Sequence, residues 1–184
     1  MRSFFLSIIV IIQLCVPGRS IAQHMKIDPK STKFEFRTKL FGRQLPKVKA
    51  GGCTGEAALD PEHLNKSFLK LRIDMQHLQA GSEDDTRTLK RQSFFNTDKY
   101  PFLTINSEKI SQSTPGSTVY LADAMLTLKG IMHPVKIQFT ANPLADGYRL
   151  IGTLTLKTSE WYIGGKGDLD DPLICFWELK LLKH

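Results

Sequence analysis

Residues 69–75 read Leu69-Lys70-Leu71-Arg72-Ile73-Asp74-Met75, with an apolar side chain at every second position. In an extended chain successive side chains point to opposite faces, so Leu69, Leu71, Ile73 and Met75 share one face and Lys70, Arg72 and Asp74 the other. The stretch predicts a half-buried strand. Working outward, the same design recurs. Phe34 and Phe36 alternate with Lys33, Glu35 and Arg37, and Leu103 and Ile105 with Thr104 and Asn106. Leu126 and Leu128 alternate with Thr127 and Lys129, and Val135, Ile137 and Phe139 with Lys136, Gln138 and Thr140. Leu150, Leu154 and Leu156 share a face across Gly152, and Trp177 and Leu179 alternate with Glu178 and Lys180.

Turn residues separate these segments. Lys129-Gly130 and Ala145-Asp146-Gly147 are hairpin signals, and Gly51-Gly52-Cys53-Thr54-Gly55 predicts a sharply bent strand. One helix is expected, with Ser82 as N-cap and Asp85 three residues on, running through Leu89 and stopping near Phe94-Phe95, before Tyr100-Pro101. A shorter helical turn is expected after Asp60-Pro61. The apolar faces must be buried, either between two packed sheets or inside one sheet closed into a barrel, and periodicity alone does not choose.

The N-terminus bears on the compartment. Met1-Arg2, the apolar run from Phe4 to Leu14 and the small residues Ser20 and Ala22 predict a signal peptide over residues 1–22, cut before Gln23. The alternatives are an uncleaved anchor or lipidation at Cys15, the latter opposed by Gln13-Leu14 where small residues are wanted. With Arg2 and Arg19 removed, 23 basic residues face 18 acidic ones, a formal charge of +5. That is mildly basic and argues against a dedicated nucleic-acid binder. The expected domain, residues 23–184, is large enough for a real core and is expected to be soluble and periplasmic or secreted. Cys53 and Cys175 lie within it. In an oxidising compartment they could bridge; the other reading is two small buried hydrophobes.

Catalysis finds little support. His24, His63, His77, His133 and His184 show no metal-ligand spacing, and no G-x-S-x-G, P-loop or G-x-G-x-x-G string occurs. Gly164-Gly165-Lys166-Gly167 reads as a flexible loop, and Asp168, Asp170 and Asp171 lack the EF-hand pattern. The sequence predicts no metal and no enzyme. Lys26, Lys30, Lys33, Arg37, Lys39, Arg43, Lys47 and Lys49 face only Asp28 and Glu35. This basic stretch, residues 26–49, is either a solvated outer face or a transient contact with an anionic membrane surface.

Phe94-Phe95-Asn96-Thr97-Asp98-Lys99-Tyr100-Pro101 resembles the FFD-x-x-K-Y-P segment of the YceI-like family, exported lipocalin-like proteins that bind polyisoprenoids. Further pieces resemble the family in order. Ile27-Asp28-Pro29-Lys30-Ser31 is similar to I-D-P-x-H-S, and Gly55-Glu56-Ala57-Ala58-Leu59-Asp60 to G-x-I-x-L-D. Leu126-Thr127-Leu128-Lys129-Gly130-Ile131, then Pro134-Val135, is similar to L-T-I-K-G-V-T-K-P-V. The chain departs from the pattern at Asp85-Thr86-Arg87-Thr88-Leu89, where the family often has R-D-x-H-L, at Ala50-Gly51-Gly52-Cys53, where it has a glycine-phenylalanine pair, and at Glu160-Trp161-Tyr162, where it has D-F-G.

The resemblance implies an all-β fold: an eight-stranded antiparallel lipocalin-like barrel with one or two short helices near its opening. It implies that the chain carries or stores a polyisoprenoid or isoprenoid quinone in an internal channel, with no other cofactor. Alternation supplies the candidate lining: Phe34, Phe36, Leu71, Ile73, Met75, Ile105, Leu126, Leu128, Ile137, Phe139, Leu154, Leu156 and Trp177. The competing expectation is a stress-related or partner-binding barrel with a filled core and no stable ligand.

Overall fold

The computed structural model describes residues 24–170 and 172–183; the expected signal peptide and its cleavage site lie outside them. The alternating segments become β2 (Lys33–Phe36), β7 (Phe68–Asp74), β8 (Phe102–Gln112), β9 (Val119–Leu128), β10 (Ile131–Leu144), β11 (Gly147–Leu156) and β12 (Leu173–Lys183). The remaining strands are β1 (His24–Ile27), β3 (Lys39–Leu40), β4 (Arg43–Gln44), β5 (Val48–Lys49) and β6 (Cys53–Ala58). Strands β1, β6, β7, β8, β9, β10, β11 and β12 pair antiparallel in that order. The ring closes where Met25 of β1 meets Lys183 of β12. The fold is therefore an eight-stranded closed antiparallel barrel, as expected.

Closure depends on a strand that breaks and resumes. β12 pairs with β1 through Leu181–Lys183 and with β2 through Cys175–Glu178. Between the two, the chain makes a 3-10 turn at Pro29–Ser31. Asp28 holds this kink: its carboxylate accepts the Lys30 N–H at 3.0 Å and the Ser31 hydroxyl at 2.6 Å. Its own N–H stays on the ladder, donating to the Lys180 carbonyl at 2.9 Å. β5 and β6 likewise read as one strand bent at 50–52, since Ala50 donates to Phe34 and Gly51 to Asp74.

α1 (Glu83–Lys90) starts where the sequence places it. The Ser82 hydroxyl accepts the Asp85 N–H at 3.1 Å and donates to the Asp85 carboxylate at 2.8 Å. The turn after Asp60-Pro61 is a 3-10 helix at Leu64–Lys66. The molecule has two unlike ends. One carries the Ala145-Asp146 turn, the 113–118 loop and the segment between β6 and β7. The other carries α1, the β3–β4 hairpin, the Lys129-Gly130 turn and the 157–172 loop.

Candidate functional site: the barrel interior

All thirteen expected lining residues are buried, none more than 5% exposed. The strand register arranges several of them in rows. Tyr120, Phe139, Gly152, Trp177 and Phe34 lie side by side across β9, β10, β11, β12 and β2. Tyr120 stacks on Phe139 with ring centroids 5.4 Å apart. Phe139 and Trp177 flank Gly152, yet their ring centroids are 5.8 Å apart. Gly152 permits this approach: a Cβ there would lie 2.5 Å from Cζ2 of Trp177 and 2.6 Å from the Gln138 carbonyl oxygen. The next row contains Ala122, Ile137, Leu154, Cys175 and Phe36.

Among the described residues the inward face of the wall carries no charged side chain; its buried ionisable residues are Cys53, Cys175 and Tyr120. The buried polar residues Thr38, Asp60, Ser67, Asp85, Thr97 and Thr158 all lie outside the barrel strands, in loops, in α1 or in a 3-10 turn. One wall group stands out. The indole N–H of Trp177 is buried with no hydrogen-bond partner, whereas that of Trp161 donates to the Ile131 carbonyl at 3.0 Å. An unpaired buried donor forfeits roughly 1–3 kcal/mol. Trp177 also borders a small space lined by Phe34, Cys53, Leu71, Ile73, Ile105 and Leu179, with Thr32 and Lys33 on its remaining side, which measures only about 10 Å³.

The bridge left open for Cys53 and Cys175 is absent: both are free, buried thiols. Cys53 on β6 pairs with Ile73 of β7, and Cys175 on β12 sits between Leu154 of β11 and Phe36 of β2; their strands flank β1. Burial raises their pKa values to about 11 and about 12. At neutral pH they are protonated, weakly nucleophilic and part of the apolar wall.

The helix-bearing end is plugged by the segment that carried the resemblance. Phe94 and Phe95 are buried, Phe95 packs against Phe36 at 5.8 Å between ring centroids, and its N–H donates to the Leu89 carbonyl at 3.0 Å. Tyr100 lies beneath the Lys129-Gly130 turn. Alternation could not find this plug, because it is made of turns rather than strand. It also missed Tyr120, whose strand neighbours Ala122 and Ala124 are too small to advertise an apolar face.

The cations of the basic stretch fall on β1 to β5 and the segments joining them, and three of them pair with carboxylates: Lys33 with Glu178, Arg43 with Asp85 and Lys47 with Glu35. Outside the barrel, a groove of about 530 Å³ runs over β2, β10, β11 and β12, bordered by the half-exposed Ile151 and Phe176. Among the described residues no cluster of His, Cys, Asp and Glu is arranged to hold a metal, and no helix is long and apolar enough to cross a membrane.

Comparison with known proteins agrees with the architecture. BcnA of Burkholderia cenocepacia superposes with a TM-score of 0.76 at 18% identity, over 83% of this chain and 98% of that one. A polyisoprenoid binding domain from Saccharophagus degradans gives 0.64 at 11% identity, over 87% and 98%. The Campylobacter jejuni YCEI protein gives 0.63 at 16%, over 74% and 85%. No curated protein matches the chain. The YceI-like domain profile matches residues 25–174, most of the chain, from β1 to the start of β12. The chain belongs to the YceI-like domain family.

Proposed function

We propose that this chain is a binding protein that carries or stores a long apolar lipid, a polyisoprenoid or isoprenoid quinone, inside its barrel, and that it works in the cell envelope after removal of residues 1–22. The observation that carries this reading is the wall itself: its inward face is predominantly apolar and free of charged side chains, and it holds one buried unpaired donor, the Trp177 indole N–H. Apolar burial supplies about 0.8 kcal/mol per methylene, and an oxygen on the ligand would give the indole its missing partner. The similarity to a polyisoprenoid binding domain from Saccharophagus degradans supports the same choice.

One observation favours a second reading. Ligand pockets usually measure about 300–1,000 Å³, whereas the space beside Trp177 is about 10 Å³. Lipid uptake would have to displace inward side chains or the Phe94-Phe95 plug. A barrel with a filled core that meets a partner on its outer face needs no such movement.

Native mass spectrometry of protein extracted gently from its own envelope separates the two. The lipid reading expects a chain starting at Gln23 with a stoichiometric lipid adduct, and a greater loss of lipid retention in Trp177→Phe than in a variant of equal thermal stability substituted away from the indole N–H. Bare protein that also ignores added isoprenoid would establish the filled core.

A further inference from the structure

The barrel interior changes character along its length. On the helix side of the Tyr120 and Trp177 row, the inward residues Ile137, Leu154, Cys175 and Phe36, then Leu156 and Leu173, carry neither oxygen nor nitrogen in their side chains. On the other side, Tyr148 stands half-buried at the start of β11, inward with Leu150 and next to the Ala145-Asp146 turn. Burial raises the Tyr148 phenol above its ordinary pKa, and the nearby Tyr120 and Asp60 raise it further. Asp60 is itself buried between β6 and β7, where its carboxylate accepts the N–H groups of Glu62 and His63, each at 3.1 Å. The helix side of the row is hydrocarbon and thiol; the turn side carries phenol and carboxylate.

The row itself holds two hydrogen-bonding groups that the protein leaves unused. The Trp177 N–H is buried without a partner. Tyr120 is only 4% exposed, and no hydrogen bond among the described residues engages its hydroxyl. Both rings pack on Phe139, with centroids 5.4 and 5.8 Å away. The other buried group without a partner, the Thr97 hydroxyl, lies in the plug segment and not on a barrel strand. Among the described residues no cation faces the row from the wall, and Asp60, close enough to act on Tyr148, repels an anion.

We propose that this row is the head-group subsite of the lipid. An uncharged oxygen of the ligand, a hydroxyl or a carbonyl, meets the Trp177 N–H and the Tyr120 hydroxyl, and the hydrocarbon chain runs along the apolar rows towards the Phe94-Phe95 plug. A phosphorylated end is rejected, because its charge would be buried with no counter-charge. A bare hydrocarbon is disfavoured, because it leaves the indole N–H unpaired. The inference rests on the lipid-carrier reading and adds to it the chemistry of the head and the direction of the chain.

The test presents the mature chain with geranylgeraniol, geranylgeranyl phosphate and the hydrocarbon phytane, each in the same detergent. The alcohol should bind about ten-fold more tightly than phytane, the worth of one hydrogen bond, and about a hundred-fold more tightly than the phosphate. Tyr120→Phe/Trp177→Phe should abolish the preference for the alcohol, whereas Thr97→Val in the plug and Phe176→Thr on the outer wall should keep it. The unsubstituted protein supplies a second reading, since its two tryptophans give two indole N–H resonances. That of Trp177 should move downfield with the alcohol and not with phytane, while that of Trp161, already bonded to the Ile131 carbonyl, stays in place. Chain methyls of the bound alcohol should lie near Phe36 and its carbinol protons near Tyr120. Equal binding of alcohol and phytane, a preference for the phosphate, loss of the preference in Thr97→Val alone, an unmoved Trp177 resonance in alcohol-loaded protein, or chain methyls beside Tyr148 would each overturn the proposal and leave the lipid-carrier reading standing. Failure of all three probes to bind would overturn both.

Discussion

The inner and outer faces of the β9–β12 wall are one residue out of step, and they differ in every physical respect. Inside, Tyr120, Phe139 and Trp177 form a dry aromatic row that meets across Gly152. Outside, the neighbouring row reads Leu121, Gln138, Thr153 and Phe176. It is mixed, and its two apolar members remain more than 40% exposed. A slip of one residue would exchange the rows, so the uniform inner face fixes register and the outer face is free to vary. Exposed Ile151, Ile174 and Phe176 are thus no threat to the fold, whereas any polar group on the inner row is.

The sharpest way to break this comparison is to put the same charge on either side. Phe139→Asp places a carboxylate between Tyr120 and Trp177 and should cost about 4 kcal/mol or more in urea unfolding. Gln138→Asp, the adjacent outward residue, should change stability by no more than roughly 0.5 kcal/mol. Arg72 is a less neutral outward control, because its guanidinium lies 3.5 Å over the Phe102 ring. Similar losses at 138 and 139 would mean that the wall has no inside.

A smaller effect is expected at Gly152. Gly152→Ala drives a methyl into the Trp177 indole and should cost about 2–3 kcal/mol. In a Trp177→Phe background the cost should fall, since Cζ2 belongs to the ring that is removed; a double-mutant cycle reads the coupling. Additive losses would show that the Gln138 carbonyl, not the indole, sets the limit.

The smallest effect lies on the outer face. Hydrogen bonding from Arg149, at 2.8 Å, and from Lys33, at 3.2 Å, holds the Glu178 carboxyl below its usual range. A folded pKa below the unfolded one stabilises at neutral pH, and that contribution is lost as pH falls from the ordinary value of 4.5 through the folded one. Glu178→Gln should therefore lose less than about 1 kcal/mol at neutral pH and show a shallower acid decline. An unchanged decline would assign acid sensitivity to other carboxylates.

The inner face was legible wherever large apolar residues alternate, as at 69–75 and 135–139. It faded where the residues are small, as at Tyr120-Leu121-Ala122-Asp123-Ala124. It also faded in β8, where a register shift between Ser107 and Lys109 breaks the alternation. Proline hid more. β10 begins before Pro134 and runs past Pro143, although proline cannot donate to a ladder. Both lie where β10 has one partner strand, since β11 pairs only with 137–144 and β9 only with 131–140. The helix start was legible because Ser82 and Asp85 satisfy each other locally. The plug was not, since it packs against strands brought in from distant parts of the sequence; for Cys53 and Cys175 the sequence left open the two readings of a bridge and of buried free thiols, and the structure shows the second.

The split pairing of β12 has a kinetic consequence. Strands β6 to β12 follow the same order in the sequence and in the sheet, so each can be added to the one before it, but β1 gains its second ladder only when residues 181–183 arrive. The last contact formed joins the most distant described parts of the chain, and closing so long a loop is slow. Until then the edges of β1 and β12 are both open, and open edges invite pairing with other chains. The vulnerable species is the almost finished barrel, and loss of the few residues that close it should promote aggregation before it noticeably loosens the native wall.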